Sequence, residues 1–77
     1  MADILNVQDS WSSVALAAEE VWQCKEGSVF VTTTDPGAED NQGILLTQFS
    51  GLKFNSGTTV YYRRATAQES SIAREAV

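Results

Sequence analysis

Few side chains in this 77-residue chain could do chemistry. Asp35, Glu39, Asp40 and Asn41 crowd one stretch, and clustered carboxylate and amide oxygens are what Ca²⁺ takes as ligands. Their spacing does not fit an EF-hand loop. Pro36 and Gly37 follow Asp35 directly, and Leu46 stands where the closing glutamate would fall. A solvated acidic loop is the simpler reading. Glu19, Glu20 and Glu69 could be cast as an acid and base pair, yet scattered carboxylates are ordinary surface groups. Cys24 is the only cysteine and the chain has no histidine, so no imidazole is present to activate a thiol or a hydroxyl. The usual zinc sets cannot be assembled within one chain. The expectation is no catalytic residue, no metal site and no cofactor.

Flat aromatic faces offer a different chemistry. Trp11, Trp22, Tyr61 and Tyr62 could stack on a sugar or a peptide. Strand alternation turns Trp22 inward and one of the two tyrosines outward, which leaves Tyr61 open between core and surface. Arg63-Arg64 serves solubility at an edge or meets acidic groups across an interface.

Charge narrows the partners. Ten acidic against 5 basic residues give a net charge of -5, which argues against a phosphate-binding surface, because nucleic-acid affinity rests on Lys and Arg. The start Met1-Ala2-Asp3-Ile4 lacks a basic leader region, and the apolar runs are far shorter than a membrane span. The expectation is synthesis in the cytoplasm, with neither nucleic acid nor membrane as partner.

The elements that must carry these residues read as β-structure. Residues 21–25 and 28–33 are rich in β-branched and aromatic side chains and flank Glu26-Gly27, a pattern that predicts a hairpin. Pairing Lys25 with Ser28, Cys24 with Val29 and Trp22 with Val31 collects four apolar side chains on one core face. Residues 34–42 read as a surface loop, Gly43 to Leu46 as the start of a short buried strand, and 52–54 as an alternating strand. Asn55-Ser56-Gly57 supplies a turn into 58–65, the longest β-prone run, with Val60 and Tyr62 on one face and Tyr61 and Arg63 on the other. Asp9 to Val14 should form a first strand. Ala15 to Glu20 has helical propensity but is too short to stand as a helix alone, and residues 70–75 fit a last edge strand or a helical turn, the strand being preferred. Together these predict an all-β fold, a small antiparallel β-sandwich or flattened barrel of six to seven short strands. Residues 1–77 make a single β domain, with 1–8 as an N-terminal arm.

The order Asp-Ser-Trp (9–11), Glu-Val-Trp-Gln-Cys-Lys-Glu-Gly-Ser-Val (20–29), Asn-Gln-Gly-Ile-Leu-Leu (41–46) and Leu-Lys-Phe-Asn-Ser-Gly-Thr-Thr-Val-Tyr-Tyr-Arg (52–63) resembles small all-β accessory structural proteins of tailed bacteriophages. In that group a short sandwich decorates the head shell as a cement protein, or sits in the tail or fibre, usually as a symmetric oligomer. The resemblance implies a virion protein made in the host cytoplasm. Its partners would be the major capsid protein or other virion subunits, and its state a homo-oligomer. The alternative it leaves is a tail, fibre or carbohydrate-binding module that contacts a host glycan through Tyr61, Tyr62 and Trp11.

The termini complete the expectation. Ile4, Leu5 and Val7 at one end, and Ile72 and Val77 at the other, are apolar side chains with little room in so small a core. Laid along a neighbouring subunit, such arms could complete its sheet edge and fill its grooves. Ile4, Leu5, Val7, Tyr61, Arg63, Ile72 and Val77 are therefore the expected partner-binding residues. Deleting residues 1 to 8 should leave the sandwich folded while abolishing assembly.

Overall fold

Short runs, with clear alternation of burial in the first three, form seven strands in the computed structural model, which describes residues 3–37 and 43–77. They are β1 (Ser12–Ala15), β2 (Glu20–Glu26), β3 (Val29–Thr32), β4 (Ile44–Leu46), β5 (Gly51–Phe54), β6 (Thr59–Arg64) and β7 (Ser71–Ala76). All pairings are antiparallel, in a four-stranded sheet of order β1-β6-β3-β4 and a three-stranded sheet of order β5-β2-β7. The molecule measures 30 × 25 × 16 Å, the thinness of two sheets stacked face to face. The all-β sandwich expected from the strand pattern is the fold observed. Among the described residues no helix is long and apolar enough to cross a membrane.

The expected hairpin is not formed. β2 pairs with β5 and β7, whereas β3 pairs with β6 and β4, so Gly27 and Ser28 carry the chain from one sheet to the other. Trp22, Cys24, Val29 and Val31 are all buried, as the alternation required, but they meet across the sandwich instead of side by side within one sheet. The arch removes both apolar faces from water at once, whereas a flat hairpin would leave its single apolar face needing further cover. Gly27 makes the arch: its φ is +66°, and a Cβ there would collide with Ser70 Oγ and lie 2.7 Å from the Glu69 carbonyl oxygen.

The core joins Trp22, Val29, Val31, Val60 and Ile72 with Val7, Leu16, Leu46 and Phe54, and Tyr62 packs against it. Trp22 meets Phe54 and Tyr62 edge to face, at centroid distances of 5.5 and 5.7 Å. Two further readings change. The first strand begins at Ser12 and not Asp9, and of residues 44–46 only Leu46 is buried; the stretch before Glu20 forms no helix, in keeping with its shortness.

The N-terminal segment has a place in its own fold. Ile4 exchanges both backbone hydrogen bonds with Ile72, at 2.8 and 2.9 Å, on the edge of the three-stranded sheet. The Val7 N–H then donates to the Ser70 carbonyl at 2.9 Å, and the Gln8 carbonyl accepts from Arg64 N–H at 2.7 Å, on the four-stranded sheet. Residues 4 to 8 thus strap the two sheets together along one side. The premise that Val7 and Ile72 lack room does not hold, since they are 2% and 0% exposed.

Candidate functional site

Alternation on the four-stranded sheet separates two faces. Val29, Val31, Val60, Tyr62 and Leu46 turn inward, so their strand neighbours Phe30, Thr32, Tyr61, Arg63 and Leu45 turn out. Cross-strand register sets Leu45 beside Phe30 and Phe30 beside Arg63, and sets Thr32, Tyr61 and Ser13 in the next row. Trp11, just ahead of β1, closes the first row. Its ring lies 5.8 Å from the Arg63 guanidinium carbon, which is 5.3 Å from the Phe30 ring on the other side. The cation is thereby held between two aromatic faces, each contact contributing about 0.5–1 kcal/mol at a site of this exposure. Arg63 Nη1 also donates to the backbone carbonyls of Arg64 at 2.7 Å and Asp9 at 3.2 Å. The result is a preordered row, Leu45–Phe30–Arg63–Trp11, flanked by half-buried Tyr61. Such a surface loses little side-chain entropy on binding, and Trp, Tyr and Arg are the residue types that dominate protein interface energies.

Tyr61 and Arg63 are therefore brought together, but the other expected partner residues are not with them. Val7 and Ile72 are interior, Ile4 is half-buried on the edge of β7, and Leu5 and Val77 remain exposed. Phe30 and Leu45 were not expected in the row. The alternation of residues 29–32 already separates Phe30 from Val29 and Val31, but its place beside Arg63 depends on β3 pairing with β6, which no local pattern announces.

The remaining chemistry is tied up or dispersed. Glu20 is 2% exposed and receives Arg74 through two hydrogen bonds, Nε to Oε1 at 2.8 Å and Nη2 to Oε2 at 2.9 Å. Trp22 Nε1 donates to the same Oε1 at 2.9 Å, and the Arg74 guanidinium lies 5.3 Å from the Trp22 ring. The Arg74 hydrogen bonds hold the Glu20 carboxyl below its ordinary pKa against the opposing effect of burial. Glu19 pairs with Lys53 at 3.3 Å, and Glu69 lies beyond the opposite end of β7 from Glu20, so these carboxylates do not form an acid and base pair. The Cys24 thiol is buried and faces the carbonyl oxygens of Glu26 and Gly27, and desolvation raises its pKa. It is a small apolar core residue.

A depression of about 400 Å³ lies between Asn6, Val7, Gln8, Arg64, Ala67 and Glu69. Arg64 reaches Asp9 there only at 3.8 Å. Of the acidic loop, Asp35 is exposed and accepts a hydrogen bond from Gly37 N–H at 3.0 Å, an Asx turn; Glu39, Asp40 and Asn41 lie outside the described residues. Among the described residues no cluster of three or more Asp, Glu, Cys or His side chains could hold a metal ion. No protein-family profile, curated protein or solved structure matches this chain.

Proposed function

We propose that this protein is a virion structural protein of a tailed bacteriophage, a capsid decoration protein that binds and stabilises the head shell through the outer face of its four-stranded sheet. The observation that carries the reading is the Leu45–Phe30–Arg63–Trp11 row, an apolar and cationic strip held rigid by register and by two cation–π contacts. Its composition suits a protein partner, since a guanidinium between aromatic rings can meet carboxylates at its edge while the rings exclude water. The likeness of residues 9–11, 20–29, 41–46 and 52–63 to phage accessory proteins supports the same reading. The acidity of the chain fits a partner other than nucleic acid.

The test is recovery with particles. Heads purified from the encoding phage or prophage should carry the protein in fixed stoichiometry. Trp11→Ala and Arg63→Glu should each lower its retention by about tenfold or more, while circular dichroism shows the sandwich still folded. Its absence from particles would overturn the proposal.

A second reading has one observation in its favour. Trp11, Phe30 and Tyr61 share one face, as a tail, fibre or carbohydrate-binding module that stacks on a host glycan would require. Binding to a panel of host surface glycans, lost in Trp11→Ala and Tyr61→Ala, would favour it over shell decoration.

A further inference from the structure

Between Gly43 and Leu52 no side chain is charged, and this stretch holds three of the chain's large exposed apolar groups: Ile44 at 56%, Leu45 at 50% and Phe49 at 63% exposure. The fold accounts for their backbone and not for their side chains. Phe49 has a φ of +70°, a conformation that costs any residue with a Cβ and that glycine adopts freely. The chain needs that conformation to turn from β4 in one sheet to β5 in the other. Phe49 N–H donates to the Cys24 carbonyl at 2.6 Å, its own carbonyl accepts from Gln23 Nε2 at 3.1 Å, and Ser50 N–H closes the turn on Thr47 at 3.0 Å. A glycine would satisfy every one of those bonds. The phenyl ring is thus retained at two costs, backbone strain and exposure of most of its surface to water.

β4 poses the same question. Among the described residues it is an edge strand, paired only with β3, and it lacks the charges and prolines that blunt natural edges. Leu46 is buried, but Ile44, in register with inward-facing Val31, is left half uncovered at the end of the sandwich.

We infer that this shoulder, Ile44, Leu45 and Phe49, is a self-association surface on which a second copy of the chain pairs β4 to β4 about a two-fold axis. An antiparallel pair centred on Leu45 sets Leu45 against its own counterpart and covers each Ile44 with the Leu46 position of the other copy, joining two four-stranded sheets into one of eight. Charge selects the place: two chains of net charge -5 repel over most of their surfaces, and this uncharged segment lets them meet without opposing carboxylates. Area sets the strength. The three side chains leave on the order of 300 Å² exposed per copy, so the pair covers roughly half of the ~1,200 Å² at the lower end of stable interfaces. The dimer is therefore weak in solution and forms at high concentration, or where another surface already holds copies side by side. The inference does not depend on what the outer face of the sheet binds.

Sedimentation velocity of the full chain, from about 10 µM to about 1 mM, tests it directly. The sedimentation coefficient should rise with concentration toward that of a dimer. Phe49→Gly should remove or strongly weaken that rise while the melting temperature at low concentration stays the same or increases, an outcome that a merely structural phenylalanine would not give. Leu45→Lys should also remain monomeric throughout. A wild-type protein that stays monomeric to the highest concentration overturns the inference, as does a dimer that survives Phe49→Gly unchanged.

Discussion

Replacing Arg74 by methionine keeps an unbranched apolar stem beside the Trp22 ring and removes the charge that faces Glu20. What remains is a carboxylate 2% exposed, with the Trp22 N–H at 2.9 Å but without the two guanidinium hydrogen bonds of 2.8 and 2.9 Å. Breaking one partner out of a buried pair costs about 3–5 kcal/mol. A domain of this length has about 4–11 kcal/mol of total stability, so the variant should lose a large share of it at neutral pH. The pH dependence carries the sharper test. In the wild type the folded-state pKa of Glu20 is depressed, so its contribution is complete above the unfolded-state pKa and is lost as pH falls through the folded value. In Arg74→Met desolvation loses its largest opponent and keeps the Trp22 hydrogen bond against it, so the folded-state pKa rises relative to the wild type. The penalty is then absent below the unfolded-state value and grows as pH rises. Urea denaturation followed by tryptophan fluorescence at several pH values between neutrality and about pH 4 should show a wide stability gap at pH 7 that narrows on acidification. A gap below about 1 kcal/mol at pH 7, or one that does not narrow in acid, would refute the assignment of Glu20–Arg74 as the buried anchor.

Further outcomes follow from the same structure. Trp22→Ala empties a fully buried site that touches Phe54 and Tyr62, and should cost about 3–5 kcal/mol by urea or thermal denaturation. Deleting residues 1 to 8 removes buried Val7 and the backbone bonds to Ile72, Ser70 and Arg64, so the sandwich should lose about 2–5 kcal/mol and not remain intact as the arm reading expects. Circular dichroism of the truncated chain would decide. Thermal unfolding with and without EGTA should coincide, and a clear fall in melting temperature with the chelator would revive a calcium site around Asp35, Glu39 and Asp40.

Much of the architecture was legible locally, because alternation depends only on which side of its own strand a residue faces. Trp22, Cys24, Val29, Val31 and Val60 could be assigned to the core, and Tyr61 and Arg63 to a common face, from the period of two alone; that this face is the outer one was decided by the fold. The same period says nothing about the neighbouring strand. Whether residues 20–26 and 29–32 lie side by side or face each other is decided by total burial: the arched arrangement lets each strand's apolar side cover the other's, and the seven strands share one core. The ends of the chain illustrate the point from the other direction. Ile4, Val7 and Ile72 carry no local signal that separates an arm from a strap; their role is set by the backbone partners that Ile72, Ser70 and Arg64 offer from two different sheets. The Leu45–Phe30–Arg63–Trp11 row likewise exists only because β3 is flanked by β4 and β6, a non-local pairing fixed by closure of the fold. Side-chain types and faces belong to the sequence; adjacency across strands and between sheets belongs to the tertiary structure, because it is the burial of the whole core that selects among locally equivalent pairings.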